Sequence, residues 1–220
     1  MAKPVKPPRA YHSAVRRQQA AQTRDAVLAA ARALFESSGY VSTTIEAIAE
    51  RAAVSPETVY AVFGSKRSLL EALIDVTIAG DSADVPILDR EWVGQLRAED
   101  DPGRQLRLLA RNGRRILERI TPLYLVLQGA VAADTAAAQA LSRYAQQRFI
   151  GQRALLGILL ERQRLRRGLS KAKSAEILFG IGSPEMYGLL VLGRGWSPAQ
   201  FETWYADALE RLLFTQPRDA

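Results

Sequence analysis

The sequence predicts an all-α protein, with a small N-terminal three-helix unit followed by a larger helical one. Three observations predict it. Apolar residues recur at i, i+3 and i+4 from Val27 almost to the end of the chain. Between these runs stand Gly, Pro, Ser, Thr and Asp, the residues that stop and cap helices. No stretch alternates polar and apolar residues long enough to make a convincing strand, and no internal repeat is evident.

Each element has its own reason. Residues 1–19 hold three of the ten prolines and much of the excess positive charge, so they are expected to form a flexible basic arm. From Arg24, the residues Val27, Ala30, Ala31, Leu34 and Phe35 share one face, and Gly39 follows as a stop. Thr43 and Thr44 offer capping hydroxyls to a short helix with Ile45, Ile48, Ala49 and Ala52 inward. Ser55-Pro56-Glu57 reads as a restart, with Ser at N-cap, Pro at N1 and an acid in the first turn. That helix turns Val59 and Phe63 inward and ends at Gly64; Ser65 caps the next, which carries Leu69, Leu70, Leu73, Ile74 and Ile78. Residues 80–103 are rich in Gly, Asp and Pro and separate a unit at 20–80 from one at 81–220. Beyond them, helices are expected near 103–119, 122–133, 135–166, 172–192 and 198–213.

The composition excludes several chemistries. At 48% hydrophobic and 24% charged, the 220 residues have globular rather than disordered make-up. There is no cysteine, so thiolate nucleophiles and Cys-ligated zinc are out. The single histidine, His12, sits in the polar opening stretch, which leaves triads and multi-His metal sites without material. No catalytic, metal or cofactor residues are therefore assigned. The 30 Lys and Arg outnumber the 23 Asp and Glu, a net charge of +7 that favours anionic partners. Residues 1–24 alone carry six bases and no acid, and lack the apolar segment of a signal peptide. The longest apolar runs, such as Leu189–Leu192, fall well short of the roughly 20 residues a membrane span needs. A cytoplasmic protein with no membrane partner is expected.

The segment from Thr44 to Phe63, a short helix, a tight turn at Ala53-Val54 and a second capped helix, has helix-turn-helix layout. By spacing alone a plain helical hairpin is the alternative, and the long preceding helix and basic arm count against it. The run Thr44-Ile45-Glu46-Ala47-Ile48-Ala49-Glu50-Arg51-Ala52-Ala53-Val54-Ser55, continued by Thr58, Tyr60, Phe63, Ser65 and Lys66, resembles the DNA-binding domain of TetR-type regulators, as do Ala33-Leu34-Phe35 and Gly39-Tyr40 upstream. The resemblance covers about 20–80. It extends weakly through Ser183–Tyr187 and Gly195–Pro198, which look like an AcrR-like subgroup. Two residues depart from the pattern: Ala53 stands where the family has Gly, and Glu57 where many members have a small residue.

The resemblance implies binding to a double-stranded DNA operator by a homodimer, with release by a small-molecule effector. It implies DNA contacts from Thr43, Thr44, Ser55, Pro56, Thr58, Tyr60, Ala61 and Lys66. Hydroxyls at Thr43, Thr44 and Tyr60 suit phosphate, as does Lys66 at a helix N-terminus. Pro56, Thr58 and Ala61 would face base edges, where they offer methyl groups and one hydroxyl. In the larger unit, Tyr124, Leu127, Phe149, Phe179 and Met186 are apolar at helical spacing and candidates for an effector pocket bounded by 103–192, with plain core as the alternative. Tyr187, Trp196, Phe201, Trp204 and Tyr205 gather near the final helices, through which the family dimerises. Arg104, Arg107, Arg111, Arg114, Arg115 and Arg119 recur along one helix, as a solvated face or a site for an acidic effector. A helical enzyme using Glu185 or Asp134, and a DNA-architectural protein relying on the arm, are the competing classes.

Overall fold

The computed structural model describes residues 10–83 and 85–215, with side chains from Arg16 onward. The first nine residues of the expected arm lie outside the described residues. Helix α1 (Ala10–Ser38) starts well before Arg24, so residues 10–19 are helical rather than arm. Arg16 to Gln22 are exposed, and good helix formers such as Ala, Gln and Arg carry these turns without tertiary packing.

The next three helices follow the caps. Thr44 accepts from the Ala47 N–H at 3.2 Å and opens α2 (Ile45–Arg51). Ser55 accepts from the Thr58 N–H at 3.3 Å and opens α3 (Pro56–Phe63). Ser65 accepts from the Ser68 N–H at 3.0 Å and opens α4 (Lys66–Ala79), which Gly80 ends at φ +87°. Phe35, Ile48, Ala49, Val59, Leu69 and Leu70 pack where these helices meet.

After a 3₁₀ turn (Ile87–Asp89) come α5 (Glu91–Ala98), α6 (Pro102–Ala130), α7 (Thr135–Leu159), α8 (Lys171–Ile181), α9 (Pro184–Tyr187) and α10 (Pro198–Leu213). A π-helical stretch, Gly188–Gly193, continues α9. No strand occurs among the described residues; Leu165 and Phe214 form an isolated bridge.

Three helix boundaries differ from expectation. Pro122 does not divide α6, because Ile120, Thr121, Leu123 and Leu127 around it are all buried, and packing outweighs the roughly 3 kcal/mol that an interior proline costs. Helix α7 stops at Leu159 rather than 166, since the following chain pairs with the end of α10: Arg166 N–H donates to Leu213 at 3.0 Å and Thr215 N–H to Arg164 at 3.1 Å. The expected 172–192 helix breaks at Gly182-Ser183, where Ser183 caps a new start and Pro184 occupies its first turn. Lys171–Gly193 is long and apolar enough to cross a membrane, with mean hydropathy 1.3, but that break interrupts it. Ala175, Leu178 and Tyr187 of this stretch belong to the core.

Long α6 runs through two apolar cores. Its C-terminal half, with Ile120, Leu123 and Leu127, joins α1–α4 and the start of α7; its N-terminal half, with Leu106, Leu109 and Leu117, joins α5, the end of α7 and α8–α10. Arg119 ties the two regions by donating to the carbonyls of Thr77 (3.0 Å) and Ile78 (2.7 Å) at the end of α4, while Arg32 of α1 donates to the Arg119 carbonyl at 3.1 Å. Arg119, half-buried, is thus committed to the end of α4.

Candidate nucleic-acid interface and ligand cavity

The turn between α2 and α3 is closed by the 6→1 and 5→2 bonds of a Schellman motif, Val54 N–H to Ala49 (3.0 Å) and Ala53 N–H to Glu50 (3.1 Å). That motif places Ala53 at φ +54°, the one positive-φ residue other than glycine among those described. An L side chain costs about 1–2 kcal/mol there, against about 0.5–1 kcal/mol for the added chain freedom of glycine. Ala53→Gly is therefore expected to stabilise the chain by roughly 0.5–1 kcal/mol, read as a raised denaturant midpoint at unchanged slope. A lowered midpoint would mean that the Ala53 methyl packs better than its backbone is strained.

Helix α3 buries Val59 and Phe63 and turns Glu57, Tyr60, Ala61 and Val62 outward, with Tyr60 49% exposed. Arg24 of α1 lies over the Phe63 ring at 5.1 Å and fixes the rear of the helix. Thr44 and Ser55 are exposed caps, Pro56 and Thr58 are half-buried, and the Thr58 hydroxyl lies 3.2 Å from that of Ser55. Its own backbone N–H and the Ser55 hydroxyl hold the Glu57 carboxyl below the usual range, so the front of α3 carries a full negative charge.

Two of the expected phosphate contacts point inward. Thr43 is buried, its hydroxyl donating to Gly39 O at 2.7 Å, which commits it to the end of α1. Lys66 sends its ammonium to the carbonyls of Tyr40 (2.6 Å) and Val41 (3.4 Å) and over the Tyr40 ring at 4.3 Å. Burial pushes the Lys66 pKa below its ordinary value. These carbonyls belong to the turn between α1 and α2, and the ammonium supplies them with charge-assisted donors. Lys66→Met keeps the stem and removes the charge-assisted bonds, so it is expected to lower stability by about 1–2 kcal/mol. A variant as stable as the parent would return this ammonium to the DNA backbone.

A cavity of about 780 Å³ opens between α1, α4, the 81–92 segment, α6, α7, α8 and α10. It reaches well outside the expected 103–192 bounds, to Arg24, Asp75 and Tyr205. None of Tyr124, Leu127, Phe149, Phe179 and Met186 lines it. Leu127 is core beneath α1–α4; Tyr124 donates to Glu185; Phe149 and Phe179 stack edge-on at 5.6 Å on each other; Met186 packs into the second core. The walls come instead from Trp92, Ile116, Leu155 and Leu178, with Arg148, Gln152 and Tyr205 as polar members. Sequence reasoning missed these, although Arg148 and Gln152, one turn apart beside Phe149 and Ile150, were the visible signal.

The expected dimer residues divide. Tyr187, Phe201 and Tyr205 are buried within the chain, at 2%, 0% and 3% exposure, because α10 packs them against α6 and α8. Trp196 and Trp204 are half-buried and pair at 6.1 Å. Exposed apolar side chains nearby belong to Leu189, Leu192 and Leu212.

Comparison with known proteins agrees with this geometry. The family described as bacterial regulatory proteins, tetR family, matches residues 27–73. The HTH-type transcriptional regulator UidR of Escherichia coli K12 is 41% identical over 56 residues, which are 26% of this chain and 29% of the relative. The chain thus matches under a third of the length of these curated relatives. Among solved structures, a protein described as a TetR-family regulator from Rhodococcus sp. superposes with TM-score 0.65 at 17% identity, over 88% of this chain and 99% of that one. A transcriptional regulator from Saccharomonospora viridis, solved with choline, gives 0.64 at 16%, over 89% and 100%. At these identities the likeness is one of fold, and it spans both halves of the chain. Residues 27–73 thus match the tetR family of bacterial regulatory proteins, and the helical architecture around them resembles that of solved TetR-family structures.

Proposed function

We propose that this chain is a cytoplasmic transcriptional repressor that binds a palindromic operator as a homodimer and leaves it when a small molecule fills the cavity. The observation that carries the reading is the outer face of α3, where Tyr60, Ala61 and Val62 stand exposed on a capped helix held rigidly from behind. Such a face suits the major groove: Tyr60 reaches a phosphate, and Ala61 and Pro56 offer apolar contact to thymine methyls. Glu57 repels phosphate and can accept from a cytosine amino group, so it selects bases rather than adding affinity. Thr44 and Ser55, exposed at the N-termini of α2 and α3, suit backbone phosphates.

The cavity supports effector control, since Val76, Ile78 and Ala79 of α4 line it and α4 packs on α1 and α3. A catalytic role draws no support from the two carboxylates first considered. Asp134 caps α7 by accepting from Ala136 and Ala137, and Glu185 holds Tyr124.

Footprinting on the DNA upstream of the chain's own gene tests the proposal. Protection of two half-sites about one helical turn apart, relieved by a metabolite extract, is expected. Equal affinity for random duplex would favour an architectural protein instead.

A further inference from the structure

We propose that the cavity takes an organic acid, with a carboxylate seated against Arg148 and an apolar body along Trp92, Ile116 and Leu155. The inference rests on reading this cavity as the effector site and names the class of its ligand.

Arg148 is the reason. Its Nη1 donates to the carbonyls of Phe179 (2.7 Å) and Gly182 (2.9 Å) at the end of α8, and its guanidinium lies 3.6 Å from the Phe179 ring centre. These contacts fix the group but give it no counter-anion: no acidic side chain among the described residues forms an ion pair with it. What remains is the Nε–Nη2 edge. Nε is buried with no hydrogen-bond partner, and Nη2 makes no bond to a described residue. That edge presents two parallel N–H groups, the geometry that fits a carboxylate with both oxygens. One turn on, Gln152 donates to Gly182 at 3.0 Å and leaves Oε1 buried and unpartnered. Unsatisfied buried polar atoms are rare, and these two belong to side chains that both line the cavity.

The remaining charges agree. Asp81 at the rim is already held by Arg90 at 2.5 and 3.0 Å. Of the other charged lining residues, Arg24 and Arg148 face Asp75 alone, a net positive charge for the ligand to meet. Glu185 lies near enough to favour the Arg148 charge, but its carboxylate is engaged by Tyr124 and does not line the cavity. Burial pushes the Arg148 pKa down. A neutral ligand would leave that charge uncompensated; a cationic one would oppose it.

The test titrates the intact chain, without DNA, with straight-chain acids of about 6 to 14 carbons and with naphthoic acids, a size range suited to a cavity of this class. Each acid is matched by its primary alcohol and amine, and binding is followed by calorimetry. The best acid is expected to bind at least roughly 10-fold tighter than its alcohol, and the amine weakest. In Arg148→Gln the acid's advantage should fall below about 3-fold while the alcohol binds as before. An alcohol or amine that equals the best acid in the parent chain overturns the inference, whether or not the variant folds. The two readings also fail separately. Acid preference in a chain with no preference for its upstream DNA removes the regulatory reading alone. Operator release by a neutral compound, without acid preference, removes this inference alone.

Discussion

A chain carrying Leu189→Glu and Leu192→Glu is expected to stay folded, to sediment as a monomer of 24.2 kDa and to lose operator affinity by at least roughly 100-fold. The two leucines are 59% and 57% exposed on the π-helical stretch after α9, so carboxylates there meet water in the isolated chain and cost little. In a dimer closed through the final helices they would meet their own symmetry mates, placing four like charges in an apolar contact. One α3 helix covers one half-site, and the second half-site gains its advantage only because the dimer tethers it, by about 10²–10⁴. Sedimentation and operator titration on the same sample check this. A double variant that still dimerises moves the interface elsewhere; a monomer that binds DNA as well as the parent removes the dimer from the proposal.

How far the sequence carried can be seen residue by residue. The caps at Thr44, Ser55 and Ser65 were legible, because they act on N–H groups three residues away and local chemistry decides them. At Ala53 the signal came from the resemblance, which puts Gly in that turn, and the turn's hydrogen bonds give the residue φ +54°. Pro122 misled because its local cost is real but is outweighed by burial that only the tertiary fold reveals. The break at Ser183-Pro184 repeats the Ser55-Pro56 signature and could have been read; a long apolar run hid it. The cavity was out of reach. Arg24, Asp75, Trp92, Arg148 and Tyr205 come from five separate elements, and an apolar residue lining a void has the same periodicity as one that fills a core. Thr43 and Lys66 came from the resemblance and suited phosphate by chemistry, but the direction each side chain takes is set by carbonyls of the turn after α1.

Phe201→Ala is the change expected to cost most stability, and it separates core from interface at the final helix. Aromatic clustering there suggested a dimer surface, yet Phe201 is fully buried in its own chain, with its ring centre 4.9 Å from Tyr187, 5.5 Å from Trp204 and 5.8 Å from Tyr205. Truncation removes the ring's transfer free energy and its edge-on contacts, and leaves a hole that α6 and α10 cannot close without moving. A loss of about 3–5 kcal/mol follows, or about 6–20 °C in Tm for a chain of this length. Phe201→Leu, which keeps most of the volume, should cost much less. Because Tyr205 beside it lines the cavity, the Ala variant should also bind the cavity's ligand more weakly. Thermal unfolding monitored at two protein concentrations decides the matter. A large drop in Tm for Ala and a small one for Leu, the same at both concentrations, assigns Phe201 to the core. An unchanged Tm with dissociation to monomers would return it to the interface.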